Sequence, residues 1–243
     1  MAKKKNFWDT QYKKPTHLAL SDEPAEDLLK FTRWIERNYG KKFLNVTAQA
    51  LDLGCGNGRN LMYLSQQYGM RGVGYDISET AITQAKAAAG DLIYQVTTKK
   101  NGHQGLLQCE VRSIAEPLPL PDASATLVLD MMSSHVLLRK EREFLRSEIL
   151  RTLRPNGWLF FKSFLLEEDQ NAARMLREFP GPEQGMYIHP EIGAAEYVWT
   201  ESALRNFFEP YFVIHKIEKS HKHINKRGEA WKRRTTSVYL EKR

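Results

Sequence analysis

Cysteine is scarce in this chain of 243 residues: Cys55 and Cys109 are its only two. Two thiols cannot build a disulfide framework or a four-cysteine zinc site. Long apolar runs are lacking too. The best of them, Ala125–Met132, is broken by Asp130 and falls well short of the ~20 apolar residues a membrane span needs. No apolar stretch follows the charges of Met-Ala-Lys-Lys-Lys-Asn-Phe-Trp, so a secretory signal is not expected. These absences point to a cytosolic protein with no membrane partner. Repeats and low-complexity segments are absent as well. Hydrophobic residues at 42% and charged residues at 27% suit a packed core and exclude global disorder.

The net charge of +7 is unevenly placed. Residues 1–14 carry +4, residues 215–243 carry +7 and the stretch between them sums to −4. Basic ends around a mildly acidic middle suit an anionic partner, and equally a pair of solvated tails.

Strand and helix signals alternate along the chain. Ser21-Asp22-Glu23-Pro24 offers a cap, early acids and a first-turn proline. Leu28, Phe31, Ile35 and Tyr39 then keep helical spacing up to Gly40. Strands are expected at 48–53, 72–75, 106–111, 125–129 and 158–164. Helices are expected at 59–68, from Ser78 to Ala88, and at 137–153 before Pro155-Asn156-Gly157. Glu167-Glu168-Asp169 opens another helix, broken at Phe179-Pro180-Gly181-Pro182. Residues 180–196, with three prolines and three glycines, read as a long surface loop. A helix at 200–208 and a strand pair at 212–217 and 236–240 follow. The pattern predicts an α/β fold: a Rossmann-like, doubly wound, mostly parallel seven-stranded sheet with an antiparallel last strand and helices on both faces. It divides into an N-terminal helical cap (1–40), a core (45–165), an insertion (165–199) and a terminal helix with its strand pair (200–243), all in one domain. Such sheets bind ligands at the carboxyl ends of their strands.

Gly54, Gly56 and Gly58 lie between a strand and a helix, with Cys55 and Asn57 among them. Glycines there let backbone approach a ligand, and the helix start offers unpaired N–H groups. Asp76 ends the next strand, 18 residues after Gly58, where a carboxylate can accept both hydroxyls of a ribose. No Lys-Ser/Thr follows the glycines, which excludes a P-loop. The third glycine comes one place early for a dinucleotide fingerprint. Asp52, just before the loop, disfavours a pyrophosphate and suits a cationic ligand.

Ala50-Leu51-Asp52-Leu53-Gly54-Cys55-Gly56-Asn57-Gly58 resembles motif I of the class I S-adenosylmethionine-dependent methyltransferases. Val73-Gly74-Tyr75-Asp76-Ile77-Ser78, Leu118-Pro119-Leu120-Pro121-Asp122 and Leu153-Arg154-Pro155-Asn156-Gly157-Trp158 resemble its later motifs, in order. Phe7-Trp8-Asp9-x-x-Tyr12 is similar to the start of tellurite-resistance-type and thiopurine-type members. The resemblance implies S-adenosylmethionine as cofactor and S-adenosylhomocysteine as product. It implies that Asp52 and the loop 54–58 surround the methionine part, Asp76 holds the ribose and Ile77 meets the adenine. Ser113 or Ile114 stands where many members bind the adenine amino group with an Asp, and Asp130 adjoins the cofactor.

A sulfonium methyl is already activated, so alignment and water exclusion matter most, with a base where the nucleophile must lose a proton. His135 and Asp130 are the catalytic candidates. Trp8, Tyr12, Tyr187, His189 and Tyr197 are candidates for the acceptor wall. Trp231, Arg233 and Arg234 could grip phosphates beside a stacked base. The acceptor is therefore either a small molecule or an RNA. His221 and His223 lack companion ligands, so no metal is expected. The readings of another class are an NAD-dependent oxidoreductase and a non-catalytic binding module. Oligomeric state is left open.

Overall fold

The computed structural model describes residues 2–16, 20–96, 106–220 and 233–243. Five strands run parallel: β1 (Gln49–Leu53), β2 (Arg71–Asp76), β3 (Leu107–Val111), β4 (Ala125–Met131) and β5 (Leu153–Phe164). β8 (Phe212–Lys219) and β9 (Thr235–Lys242) complete a seven-stranded sheet in the order β3-β2-β1-β4-β5-β9-β8. β9 pairs antiparallel with both its neighbours. The expected doubly wound sheet is thus present, and the strand order reverses between β1 and β4.

The central strands are apolar on both faces because both are covered. On one face Leu51, Leu53, Val128, Leu159 and Phe161 pack against α5 (Arg139–Thr152) and α7 (Glu201–Phe208). On the other, Ala50, Leu127, Leu129, Trp158, Phe160 and Tyr239 pack under α2 (Glu26–Tyr39), α3 (Arg59–Tyr68) and α4 (Glu79–Val96). Side chains alternate across each strand, so successive residues of β5 serve opposite layers.

α2 buries Leu28, Phe31, Thr32 and Ile35 on one stripe. Phe31 stacks on Phe160 at 4.8 Å and meets Tyr239 edge-on at 5.0 Å. Gly40 ends the helix at φ +63°, a conformation open to glycine, and its N–H bonds the Glu36 carbonyl.

Several local expectations need correction. Ser21 does not cap α2, which begins at Glu26; its hydroxyl accepts the Glu23 N–H instead. A helix precedes it, α1 (Ala2–Lys13). α4 continues to Val96, beyond Ala88. Pro155-Asn156-Gly157 does not separate helix from strand. α5 passes directly into β5 at Leu153, and the three residues form a bulge between the Ala125–Leu153 and Leu127–Trp158 pairs. Residues 180–196 contain a small hairpin, β6 (Met186–Ile188) with β7 (Ala195–Tyr197). It follows α6 (Gln170–Glu178), whose N-cap is Asp169. The turn signals at Asn101, Gly102 and Gly105 lie outside the described residues.

Phe31 is fully buried in the aromatic layer. Phe31→Ala is expected to lower unfolding free energy by about 3–5 kcal/mol, read by urea denaturation.

Candidate active site

The carboxyl ends of β1, β2, β4 and β5 open into a cavity of about 550 Å³. Its floor at the β1 end is the glycine loop. Gly54 and Gly56 hold φ of +72° and +56°, where a side chain is strained. A Cβ at Gly54 would also sit 2.5 Å from the Ser133 Cβ. The Gly54 and Cys55 N–H groups both bond the Tyr75 carbonyl, at 2.7 and 3.0 Å. The Gly56 N–H bonds Asp76 Oδ2 at 2.9 Å, and Asp76 Oδ1 accepts the Ser78 N–H at 2.8 Å. Burial raises the Asp76 pKa, against these N–H donors. Each oxygen keeps acceptor capacity beyond the bond it makes.

Cys55, Asn57, Ile77, Ser113 and Ile114 line this half of the cavity with Asp76. Gly58 opens α3 from below it. Asp52 is 1% exposed and lies beneath the lining, not in it. Its Oδ2 has no hydrogen-bond partner, and burial together with Asp76 and Asp130 pushes its pKa up to about 7. A buried, unpartnered acid under a glycine cradle fits a cationic ligand seated above it. Asn57 and Arg59 reach across to the Ser21 carbonyl and hold the segment before α2 over the loop.

α1 forms the roof. Phe7, Trp8 and Tyr12 line the cavity, and Asp9 accepts hydrogen bonds from Ser78 Oγ at 2.7 Å and Thr80 N at 3.1 Å. Tyr12 Oη stands over Gly56, in the space a Cβ there would take. Burial and the neighbouring Asp76 push the Tyr12 pKa up.

The other half is walled by Leu20, Ala25, Met131, Lys162, Phe164, His135, His189, Ile192, Glu196 and Arg233. His135 rides a short 3-10 turn, Ser134–Val136, and sits edge-on to Phe164 at 5.1 Å. Its Nε2 is 3.8 Å from Glu196 Oε1. Burial alone would raise the Glu196 pKa, but His135, Tyr187 and Arg233 outweigh it and hold the carboxyl below its usual range.

Asp130, expected at the site, does not line the cavity. It is 3% exposed, and its Oδ1 accepts from Ser133 Oγ at 2.6 Å and Ser134 N at 3.1 Å. Its place is under the turn that carries His135, so it supports that residue and is not free for chemistry. Tyr187 is fully buried behind the wall, its hydroxyl between Glu196 and Arg233. Tyr197 faces the Arg142 guanidinium at 3.8 Å, away from the cavity. Arg233 does reach the cavity, but it lies over Phe164 at 4.1 Å and faces Asp169 at 3.4 Å. Arg234 is turned inward to Glu168, the Glu167 carbonyl and the Ser220 carbonyl. Neither arginine is presented to an outside phosphate. Trp231, His221 and His223 lie outside the described residues.

Asp9, Lys162 and Asp169 had no expected role at the site. Lys162 pairs with Asp27 of α2, and Asp169 accepts from Ala172 N and Arg234 N. Only Asp169 had a local signal, as an acid directly before a helix. Among the described residues no cluster of three metal-ligating side chains occurs. No helix there is long and apolar enough to cross a membrane.

Residues 51–161 match the family described as "Methyltransferase domain". An uncharacterized protein of Haemophilus influenzae is 26% identical over 137 residues, 56% of this chain and 49% of that protein. The chain thus spans about half the length of that curated relative. A SAM-dependent methyltransferase of Methanosarcina mazei superposes with a TM-score of 0.63 at 23% identity, covering 82% of this chain and 94% of that one. Magnesium protoporphyrin IX methyltransferase of Synechocystis, solved with bound S-adenosylhomocysteine, gives 0.59 at 15% identity over 90% and 82%. The sheet order and the glycine cradle agree with these matches: residues 51–161 are similar to a methyltransferase domain, and the fold is that of the solved S-adenosylmethionine-dependent methyltransferases.

Proposed function

We propose that the chain is an S-adenosylmethionine-dependent methyltransferase that acts on a small-molecule acceptor carrying an N, O or S nucleophile, with His135 as the base. One observation carries the choice. The two arginines that would have served an RNA are paired with acids of the chain itself, Arg233 with Asp169 and Glu196 and Arg234 with Glu168.

The cofactor supplies a methyl group on a positively charged sulfur. Gly54–Gly58 would face its methionine part, Asp76 its ribose hydroxyls, and Ile77, Ser113 and Ile114 its adenine. Asp52 would complement its positive charge from below. The acceptor would lie against Phe164 and His135, under Trp8 and Tyr12 and beside His189. His135 would take the acceptor's proton, and ionised Glu196 would balance the imidazolium so formed. The apolar roof from α1 would exclude water.

Calorimetric titration with S-adenosylhomocysteine tests the cofactor half. Asp76→Ala removes two charge-assisted contacts and should weaken binding on the order of a hundredfold, while His135→Ala should bind as the wild type does. Undiminished binding by Asp76→Ala would refute the ribose assignment. A panel of phenols, amines and thiols with labelled S-adenosylmethionine tests the acceptor half. On any acceptor found, His135→Ala should cut turnover by about 10²-fold or more, and an unaltered rate would remove the base from the mechanism.

Burial and the neighbouring Asp76 and Asp130 push the Asp52 pKa up to about 7, and a cation above it favours the ionised form. Binding of S-adenosylmethionine should therefore release a proton below that pH, and affinity should rise with pH by up to about tenfold per unit. Asp52→Asn should flatten this dependence. Calorimetry in buffers of different protonation enthalpy counts the proton directly.

A further inference from the structure

The two cysteines of the chain come from segments 54 residues apart in number, yet they meet. Cys55 sits in the glycine loop and lines the cavity, whereas Cys109 lies in β3 and does not. A Cβ at Gly74 would lie 2.7 Å from Cys55 Sγ. Gly74 is itself the register partner of Cys109 across the β2–β3 pair. Cys55 thus lies over the strand next to Cys109, in space that glycine leaves open. Both side chains belong to one buried cluster, with Leu61, Ile82 and Ala85. Both are buried, at 5% and 6% exposure. The methyl transfer derived above uses neither.

We propose that Cys55 and Cys109 form an oxidation site, at which a peroxide closes a disulfide that distorts the glycine loop and weakens cofactor binding. A peroxide entering through the cavity meets Cys55. Its sulfur attacks one peroxide oxygen, the O–O bond breaks, and the Cys55 proton leaves with the departing hydroxide as water. The sulfenic acid so formed is attacked by Cys109 sulfur, and the hydroxide released takes the Cys109 proton as a second water. Two thiols lose two electrons and two protons, and one peroxide becomes two waters.

Closing the bond has a geometric consequence. A disulfide brings its sulfurs to ~2 Å, which draws Cys55 toward β3. Cys55 is flanked by the two glycines of the cradle, and its own N–H bonds the Tyr75 carbonyl at 3.0 Å. The adjacent Gly56 N–H bonds Asp76 Oδ2 at 2.9 Å. Moving Cys55 disturbs both. The effect on binding rests on the cofactor assignment above, whereas the thiol chemistry does not.

The test treats the purified full chain with hydrogen peroxide, then with dithiothreitol. Intact mass should show loss of two hydrogens and thiol titration should show both groups consumed, each reversed by the reductant. Affinity for S-adenosylhomocysteine should fall by about tenfold or more on oxidation and return on reduction. Saturating S-adenosylhomocysteine should slow the oxidation by covering Cys55. Cys109→Ala should bind like the reduced wild type and, after peroxide, show added oxygen on Cys55 with no loss of two hydrogens. Oxygen addition in place of the disulfide would overturn the proposal, as would a disulfide that leaves affinity unchanged. If Cys109→Ala does not fold, the reductant cycle on the wild type still decides it. Reduced protein that binds no S-adenosylhomocysteine would overturn the cofactor assignment instead, with the mass readout still deciding the thiol pair.

Discussion

The Asp76 carboxylate is the constraint on which the site depends. One oxygen takes the Gly56 N–H and the other the Ser78 N–H. A single side chain thereby fixes the β1–α3 loop to the β2–α4 turn, two segments that would otherwise vary independently. Backbone donors held this way need no rearrangement when a ligand arrives. The cost is a buried acid beside two others, Asp52 and Asp130, and burial raises the pKa of all three. Such a cluster is tolerable where a cationic ligand completes it.

The second half of the site is built by long-range packing. Tyr187, Glu196, Arg233 and Asp169 come from the segment after β5 and from the approach to β9, and they pack behind His135 and Phe164. With charge set against charge in a desolvated wall, removing any one member leaves its partners unmatched. The cavity wall opposite the glycine loop and the sheet's end therefore share one set of interactions.

This division explains what could be read in advance. The glycine loop and Asp76 are legible because their chemistry is local: a strand, a tight turn, a helix start and an acid at the next strand's end. The sheet is legible because alternation of strand and helix leaves few topologies. Asp130 misled because a strand-end acid looks the same whether it faces the cavity or caps the turn beneath it. Arg233 and Arg234 misled because basic residues reveal nothing of the acids that meet them. Those acids, Asp169 and Glu168, lie more than sixty residues earlier in the chain. Tyr197 shows the same limit, since its partner Arg142 belongs to another element. The bulge at Pro155-Asn156-Gly157 was read as a stop because the turn signal is real and only its place within a strand is not.

The position of β9 bears on synthesis. It follows β8 in the chain but lies inside the sheet, between β5 and β8, with Val238, Tyr239 and Leu240 buried. A nascent chain emerging from the ribosome can pair β1 to β5 early, but β8 has nothing to join until residue 242 is free. Until then the β5 edge stands open, a surface that invites pairing with another chain. Assembly of this sheet is thus completed from the inside, and the interval before β9 emerges is its moment of greatest exposure to aggregation.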